Sequence, residues 1–375
     1  MRLTRRGAVV LGFALVLLGF GQWGGYPLLR ALGLVMLGAV AAAVALTARK
    51  IDVGVHRVVY PDRVERGKPA LARLQVSNPG SRRQPSMFAT DGTSQEIHIR
   101  SLLPGAHAEY HYELPTHARG KLTVGPLTLY RVDPFGLATN RLPTGETGTL
   151  WVHPRQYPAR ALVGGHPRHH HEGATTDDTL RGSVELQDVR EYQPGDEVRH
   201  MHWKATARTG RLMVRDLIDP QQPRFTVLVD TRPDSLPAAT FEEAVDLAAS
   251  LVAASARAGH HSRLVTSSGI DLPTPGGPQA ARILLDELAQ IDQTGDANSV
   301  VPGVLSASRG VGGCLVLVTA AQAELTSLAW LRHRFSAIFL VVLGESEERA
   351  AVSGARVLGA RDAVHAVHAW NEVAR

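Results

Sequence analysis

Residues 224–259 read RFTVLVDTRPDSLPAATFEEAVDLAASLVAASARAG, and this run decides the fold of the carboxyl-terminal part. Arg224 to Asp230 is a short apolar stretch of strand length that ends on a carboxylate, as a strand buried on both faces does. From Thr240 the apolar positions take helical spacing, with Thr240 and Glu243 as a capping box and Gly259 as the stop. The alternation then repeats. SRLVTS reads as a strand, and GPQAARILLDELAQI as a helix with Ile283, Leu284, Leu288 and Ile291 on its apolar side. GGCLVLVTA, AELTSLAWLRHR and SAIFLVVLG continue as strand, helix and strand, ARVLGA as a short edge strand, and RDAVHAVHAWNEVA as a closing helix. The expectation over 223–375 is an α/β domain with a mainly parallel sheet.

In such sheets ligands sit beyond the carboxyl ends of the strands, where the strand order switches. That edge offers Asp230, Thr231, Arg232 and Asp234 after the first strand and Thr319 after CLVLV. No glycine-rich phosphate loop follows any strand, which argues against a nucleotide site. Cys314, the single cysteine, heads a buried strand and reads as packing; alone, it excludes an internal disulfide and a cysteine-cluster metal site.

Immediately upstream, residues 182–222 hold the densest mixture of charge and aromatic rings. Glu185, Asp188, Glu191 and Asp196 interleave with Arg190, Arg199, Lys204, Arg208, Arg211 and Arg215. Tyr192 and Trp203 lie among them, and Pro194-Gly195-Asp196 marks a turn. One reading makes RHMHWKATAR and RLMVRDLI strands of a hairpin turning at Thr209-Gly210. Asp196, Arg199 and Arg208 are then partly buried ion pairs fixing a joint between domains. A second makes the same residues an exposed docking face, since Trp, Tyr and Arg are the usual hot-spot types. A catalytic reading needs His200 or His202 with Asp196 as orienter, but no nucleophile stands beside them.

Between Asp52 and Pro154 the pattern becomes short alternating runs, LARLQVSN, EIHIRSL, AEYHYEL, KLTVGPLTLYRV and TLWVHP, separated by turn residues. This spacing predicts a small β-sandwich over 51–155. Asp133-Pro134-Phe135-Gly136-Leu137 reads as a corner with Phe135 buried. Residues 156–181 form a polar linker containing His166 and His169 to His171. Adjacent histidines in a flexible loop hold a metal poorly for want of outer support.

Two apolar runs open the chain, with the basic Arg2, Arg5 and Arg6 before the first and Arg49 and Lys50 after the second. Helices over about 8–23 and 28–48, within a 1–50 hairpin, come near the roughly 20 residues a bilayer demands. Trp23 and Tyr26 between them suit an interface, and the basic ends place both termini in the cytoplasm. The rival readings are two buried core helices or a cleaved signal, since Thr4-Arg5-Arg6 resembles the start of a twin-arginine leader. Charge is uneven. Residues 224–375 carry 12 basic and 16 acidic side chains, so the chain's net +5 leaves +9 in the first 223. An anionic inner leaflet accounts for that excess better than nucleic acid, because stacking aromatics are few.

The run ReYqPGDevRhmhWkatARtGrLmVR resembles the bacterial domain-of-unknown-function family fifty-eight, with Tyr192, Pro194, Gly195, Asp196, Arg199, Trp203, Ala207, Arg208 and Gly210 at matching positions. The resemblance implies a multidomain, membrane-anchored protein: a transmembrane hairpin, a β-sandwich and a von Willebrand factor A-like α/β domain. It also implies partnership with a MoxR-type AAA+ ATPase and an environment of other membrane proteins. Von Willebrand A domains often bind Mg²⁺ through Asp-x-Ser-x-Ser; here Arg232 and Asp234 replace the serines, so neither metal nor other cofactor is expected. The resulting expectation is a non-enzymatic adaptor or assembly factor at the inner membrane, its soluble domains cytoplasmic. The alternatives are a metal-dependent hydrolase using the histidine tract or the Asp230 loop, and a nucleic-acid-binding protein.

Overall fold

The structure is a computed structural model, and it describes residues 2–92, 96–162, 185–192, 201–218, 224–295, 299–307, 313–320, 328, 331–332, 334–344 and 354–374. The chain divides into two compact units, Met1–His153 and Pro154–Arg375.

The first unit opens with a two-residue strand β1 (Arg2–Leu3) and the helices α1 (Arg5–Trp23) and α2 (Pro27–Thr47). Both helices are long and apolar enough to cross a membrane, and only 17% of each apolar window is buried within the protein. Small residues, among them Gly7, Ala14, Gly21, Gly33 and Ala43, make up most of the buried positions. Where surroundings are as apolar as the helices, small side chains let two helices approach and gain packing energy.

Ten strands follow: β2 (Gly54–Tyr60), β3 (Arg63–Glu65), β4 (Leu71–Ser77), β5 (Met87–Thr90), β6 (Glu96–Ile99), β7 (His107–Glu113), β8 (Gly120–Val124), β9 (Leu127–Val132), β10 (Ala138–Thr144) and β11 (Gly148–His153). They form sheets in the orders β1-β10-β9-β5-β6, β3-β11-β8 and β2-β4-β7. β4 illustrates why they form: Ala72, Leu74 and Val76 are buried on one face while alternate residues meet solvent. Leu74, Met87, Ile99, Leu129 and Leu150 fill the common core. The 133–138 corner departs from expectation. Phe135 is 75% exposed and Leu137 is the buried residue. Asp133 accepts the backbone N–H of Phe135 at 2.9 Å and of Ala138 at 2.6 Å, a tight turn that aims Phe135 outward.

The hairpin and the sheet meet at this corner. β1 pairs antiparallel with β10, Arg2 opposite Thr139. The Thr4 hydroxyl donates to Gly136 O at 2.6 Å, and Asn140 Nδ2 donates to Thr47 O at 3.1 Å. Val40 and Ala43 of α2 pack on Leu137 and Ala138. Gly7 makes the approach feasible: a Cβ there would lie 2.0 Å from Leu137 O.

In the second unit, β12 (Glu185–Glu191) pairs antiparallel with β13 (Met213–Ile218), and α3 (Trp203–Thr209) lies between them in sequence. The expected RHMHWKATAR strand is therefore replaced by a helix. His202 Nδ1 accepts the Ala205 N–H at 3.0 Å as N-cap, two alanines favour the helix interior, and Gly210 closes it at φ 70°. Met201 keeps a bridge to Val214, and the His202 N–H reaches Met213 O at 2.8 Å.

The remaining elements are β14 (Arg224–Val229), α4 (Ala238–Arg257), β15 (His261–Thr266), β16 (Asp271–Thr274), α5 (Pro278–Gln290), α6 (Gly303–Ala307), β17 (Cys314–Ala320), β18 (Ala337–Leu343), β19 (Arg356–Ala360) and α7 (Ala363–Val373). Their sheet runs β16-β15-β14-β17-β18-β19, parallel except for β16. The expected α/β alternation is present, with β16 as an antiparallel edge the reading passed over. The helix expected over AELTSLAWLRHR falls largely outside the described residues. Two details differ. α4 starts at Ala238 without a side-chain cap, and Glu243 instead accepts the Ala363 N–H at 3.0 Å, tying α4 to α7. Ile283 is 42% exposed; Ala280, Ala281, Leu284, Leu285 and Leu288 form the buried side of α5.

Residues 154–162 form a strap over α4 and α7. Buried Asp246 accepts the Arg155 N–H at 2.9 Å, Ser250 Oγ accepts that of Tyr157 at 2.9 Å, and the Trp370 indole donates to Arg160 O at 2.9 Å. Asp246 and Ser250 stand one helical turn apart, which matches the two-residue step of an extended strap.

Candidate functional site

With β14 and β17 adjacent at the centre of the sheet, the strand order reverses between them, and the first loop of the domain opens at that point. Asp230 directly follows β14 and is fully buried. Its backbone N–H bonds Val318 O of β17 at 3.0 Å, which fixes the carboxylate beside Thr319. Thr319 Oγ1 donates to Oδ2 at 2.8 Å, and Ser267 Oγ, just beyond β15, lies 3.4 Å from Oδ1.

Arg232 closes the arrangement. Its Nε donates to Oδ1 and its Nη2 to Oδ2, each at 2.9 Å, and its backbone N–H reaches Oδ1 at 3.2 Å. Five donors thus saturate a carboxylate that has about four lone-pair directions. A bidentate guanidinium is among the strongest partners a carboxylate has. A divalent cation does not fit here: both oxygens are taken, and the guanidinium adds like charge. Asp234 is exposed in the same loop and outside the cluster. Among the described residues no group of three His, Cys, Asp or Glu side chains is placed to hold a metal.

Ser267 is the member that sequence reading missed. It binds the loop from the other side, accepting the Thr231 N–H at 2.9 Å and meeting the Thr231 hydroxyl at 2.9 Å. Its position at the end of the second strand, SRLVTS, was the available signal, because parallel neighbours bring their carboxyl ends together.

The signature residues are differently placed. Tyr192 donates its N–H to Leu212 O at 2.9 Å. Trp203 is 62% exposed, Lys204 and Arg208 are exposed, and no residue of α3 is buried. Arg208 is thus not the partly buried pair member that the joint reading required. Arg215 lies on β13 opposite Val189. Pro194, Gly195, Asp196, Arg199 and His200 lie outside the described residues, as does the 166–172 histidine tract. His202, a candidate base, is already used as an N-cap acceptor. Cys314 is buried at the head of β17, and burial pushes its thiol up to about 12, far from nucleophilic use at neutral pH.

The sheet and its sealed carboxylate define a mixed α/β domain whose switch-point loop is closed by its own arginine. Residues 188–318 match the family described as Protein of unknown function DUF58. No curated protein matches. Among solved structures, a CARDB domain from Pyrococcus furiosus is 21% identical, covering 27% of this chain and 92% of its own, with a TM-score of 0.20. An alkylpurine DNA glycosylase of Pseudomonas fluorescens bound to DNA is 11% identical, over 34% of this chain and 40% of its own, with a TM-score of 0.18. Likeness that slight carries no argument about fold or function.

Proposed function

We propose that the protein is a non-enzymatic, membrane-anchored adaptor whose second unit, a von Willebrand A-like domain, faces the cytoplasm and docks a protein partner, a MoxR-type AAA+ ATPase. The observation that carries this reading is the exposure of Trp203 within the signature stretch. A tryptophan 62% exposed on a short helix with no buried residue contributes little to folding, and Trp and Arg are the side chains that anchor interfaces. Lys204 and Arg208 are exposed on the same short helix, and Leu212, just after it, is 46% exposed. The strand order with one antiparallel edge supports the von Willebrand A-like assignment, and the Arg232 seal on Asp230 favours docking independent of a metal. The hydrolase alternative loses support at Asp230 for the same reason.

The test uses the full-length chain in lipid nanodiscs, because β1 lies within the segment that a soluble truncation would remove. Binding of a purified MoxR-type ATPase from the same organism, with and without ATP, is expected for wild type and weakened in Trp203→Ala. Absence of binding in both nucleotide states would reject the partner.

A further inference from the structure

We propose that a groove where the helical hairpin meets β10 is a site for the phosphate of an anionic membrane lipid. This rests on reading α1 and α2 as a membrane hairpin. The 19 residues of α1 span about 28 Å, close to the hydrocarbon thickness of a bilayer. Its far end carries exposed Trp23 and Tyr26, side chains suited to one interface. Its near end, at Arg5, therefore lies at the other.

At that near end, β1 sets Arg2 opposite Thr139, and Arg141 follows two residues along β10 on the same face. Arg2, Thr4, Arg5, Thr139 and Arg141 line a groove of about 610 Å³, and among the described residues no carboxylate lines it. Thr139 is only 8% exposed, and its hydroxyl has no hydrogen-bond partner among the described residues. A buried hydroxyl ordinarily finds one, and here a phosphate oxygen, flanked by three guanidiniums, would supply it.

A further cation is buried near the hairpin but outside the groove, on the opposite face of the sheet, since Arg131 of β9 pairs with Asn140 of β10. Arg131 is 6% exposed; among the described residues its Nε and Nη2 have no partner, and its Nη1 reaches Arg49 O at 3.5 Å. Burial and the neighbouring Arg49 lower its pKa, the response of a cation held without an anion. The nearby Asp133 is committed to its turn. Phe135, exposed one residue from the carbonyl that Thr4 binds, stands at the level of the groove as an interfacial anchor. This level selects a lipid headgroup over free phosphate as the source.

The experiment places full-length protein in phosphatidylcholine nanodiscs titrated with phosphatidylglycerol, and reads retained lipid by native mass spectrometry together with Tm. Wild type is expected to retain phosphatidylglycerol selectively and gain thermal stability. Arg2→Ala and Arg141→Ala should each weaken retention about fivefold, Arg141→Lys should recover part of it, and Thr139→Val should weaken it without unfolding the protein. Equal retention of the two lipids, or equal retention by wild type and the Arg2→Ala/Arg141→Ala variant, overturns the site. Competition by millimolar inorganic phosphate overturns the lipid as its source. Release of the chain from membranes by alkaline carbonate would instead reject the hairpin reading, whereas a chain that stays in the membrane without lipid preference rejects the site alone.

Discussion

Arg232 holds both oxygens of Asp230, Nε to Oδ1 and Nη2 to Oδ2 at 2.9 Å, at the point where the central strands of the α/β sheet diverge. The carboxylate is fully buried and the Arg232 side chain 14% exposed, so neither charge has water as an adequate substitute. Removing the arginine should be costly. Arg232→Ala is expected to destabilise the protein by about 3–5 kcal/mol, the range for an orphaned buried charge. Denaturant unfolding measures this, and Asp230→Asn in the Arg232→Ala background should recover part of the loss.

The same site predicts a gain of ligand. Arg232→Ser vacates the carboxylate and leaves the Thr319 and Ser267 hydroxyls beside it. Millimolar Mg²⁺ or Mn²⁺ should raise the Tm of Arg232→Ser and leave that of wild type unchanged. A metal-dependent Tm in wild type would show that the guanidinium is no seal.

Gly7 is where α1 touches the sheet, its Cα facing Leu137 O too closely for any side chain. Gly7→Leu should destabilise the first unit by about 1–3 kcal/mol, the usual penalty of overpacking, and expose the 133–138 corner to protease. Gly12→Leu, at a position with nothing within 4 Å, is the control and should be silent.

Burial holds His260 below its ordinary pKa of about 6.5, with Ser255 Oγ 3.3 Å from its Nδ1. The unfolded chain therefore binds a proton at a pH where the folded chain does not. Stability should be fully present above about pH 6.5 and fall as pH drops below it. His260→Gln should flatten that slope in unfolding free energy measured from pH 7.5 to 5.

Much of this was legible in the sequence, for a physical reason. Strands buried on both faces, such as RFTVLVD and CLVLVTA, leave continuous apolar runs, and the amphipathic α5 leaves a period. Asp230, Arg232 and Thr319 could be placed at one edge because parallel topology assigns strand ends to one side. β12, ELQDVRE, could not be read, since a nearly all-polar strand carries no alternation. α3 was hidden because its helix signal is a histidine cap and a glycine stop around seven residues, too short for periodicity. Phe135 was expected to be buried from its chemistry alone, and Trp203 was left between a hairpin strand and an exposed docking face. Exposure depends on the turn and the helix that carry them, which a single sequence does not display.

The most direct measurement of the docking reading is the affinity of Trp203→Ala for the ATPase, taken together with its thermal stability. An exposed side chain outside the core should change stability by no more than about 0.5 kcal/mol. As an interface anchor it should weaken binding by roughly 30-fold, the factor for a hot spot of about 2 kcal/mol. Unchanged Tm with binding lost in nanodisc-held full-length protein is the predicted result. Unchanged binding, or a Tm that collapses with the substitution, would contradict it and return the signature stretch to a purely structural role.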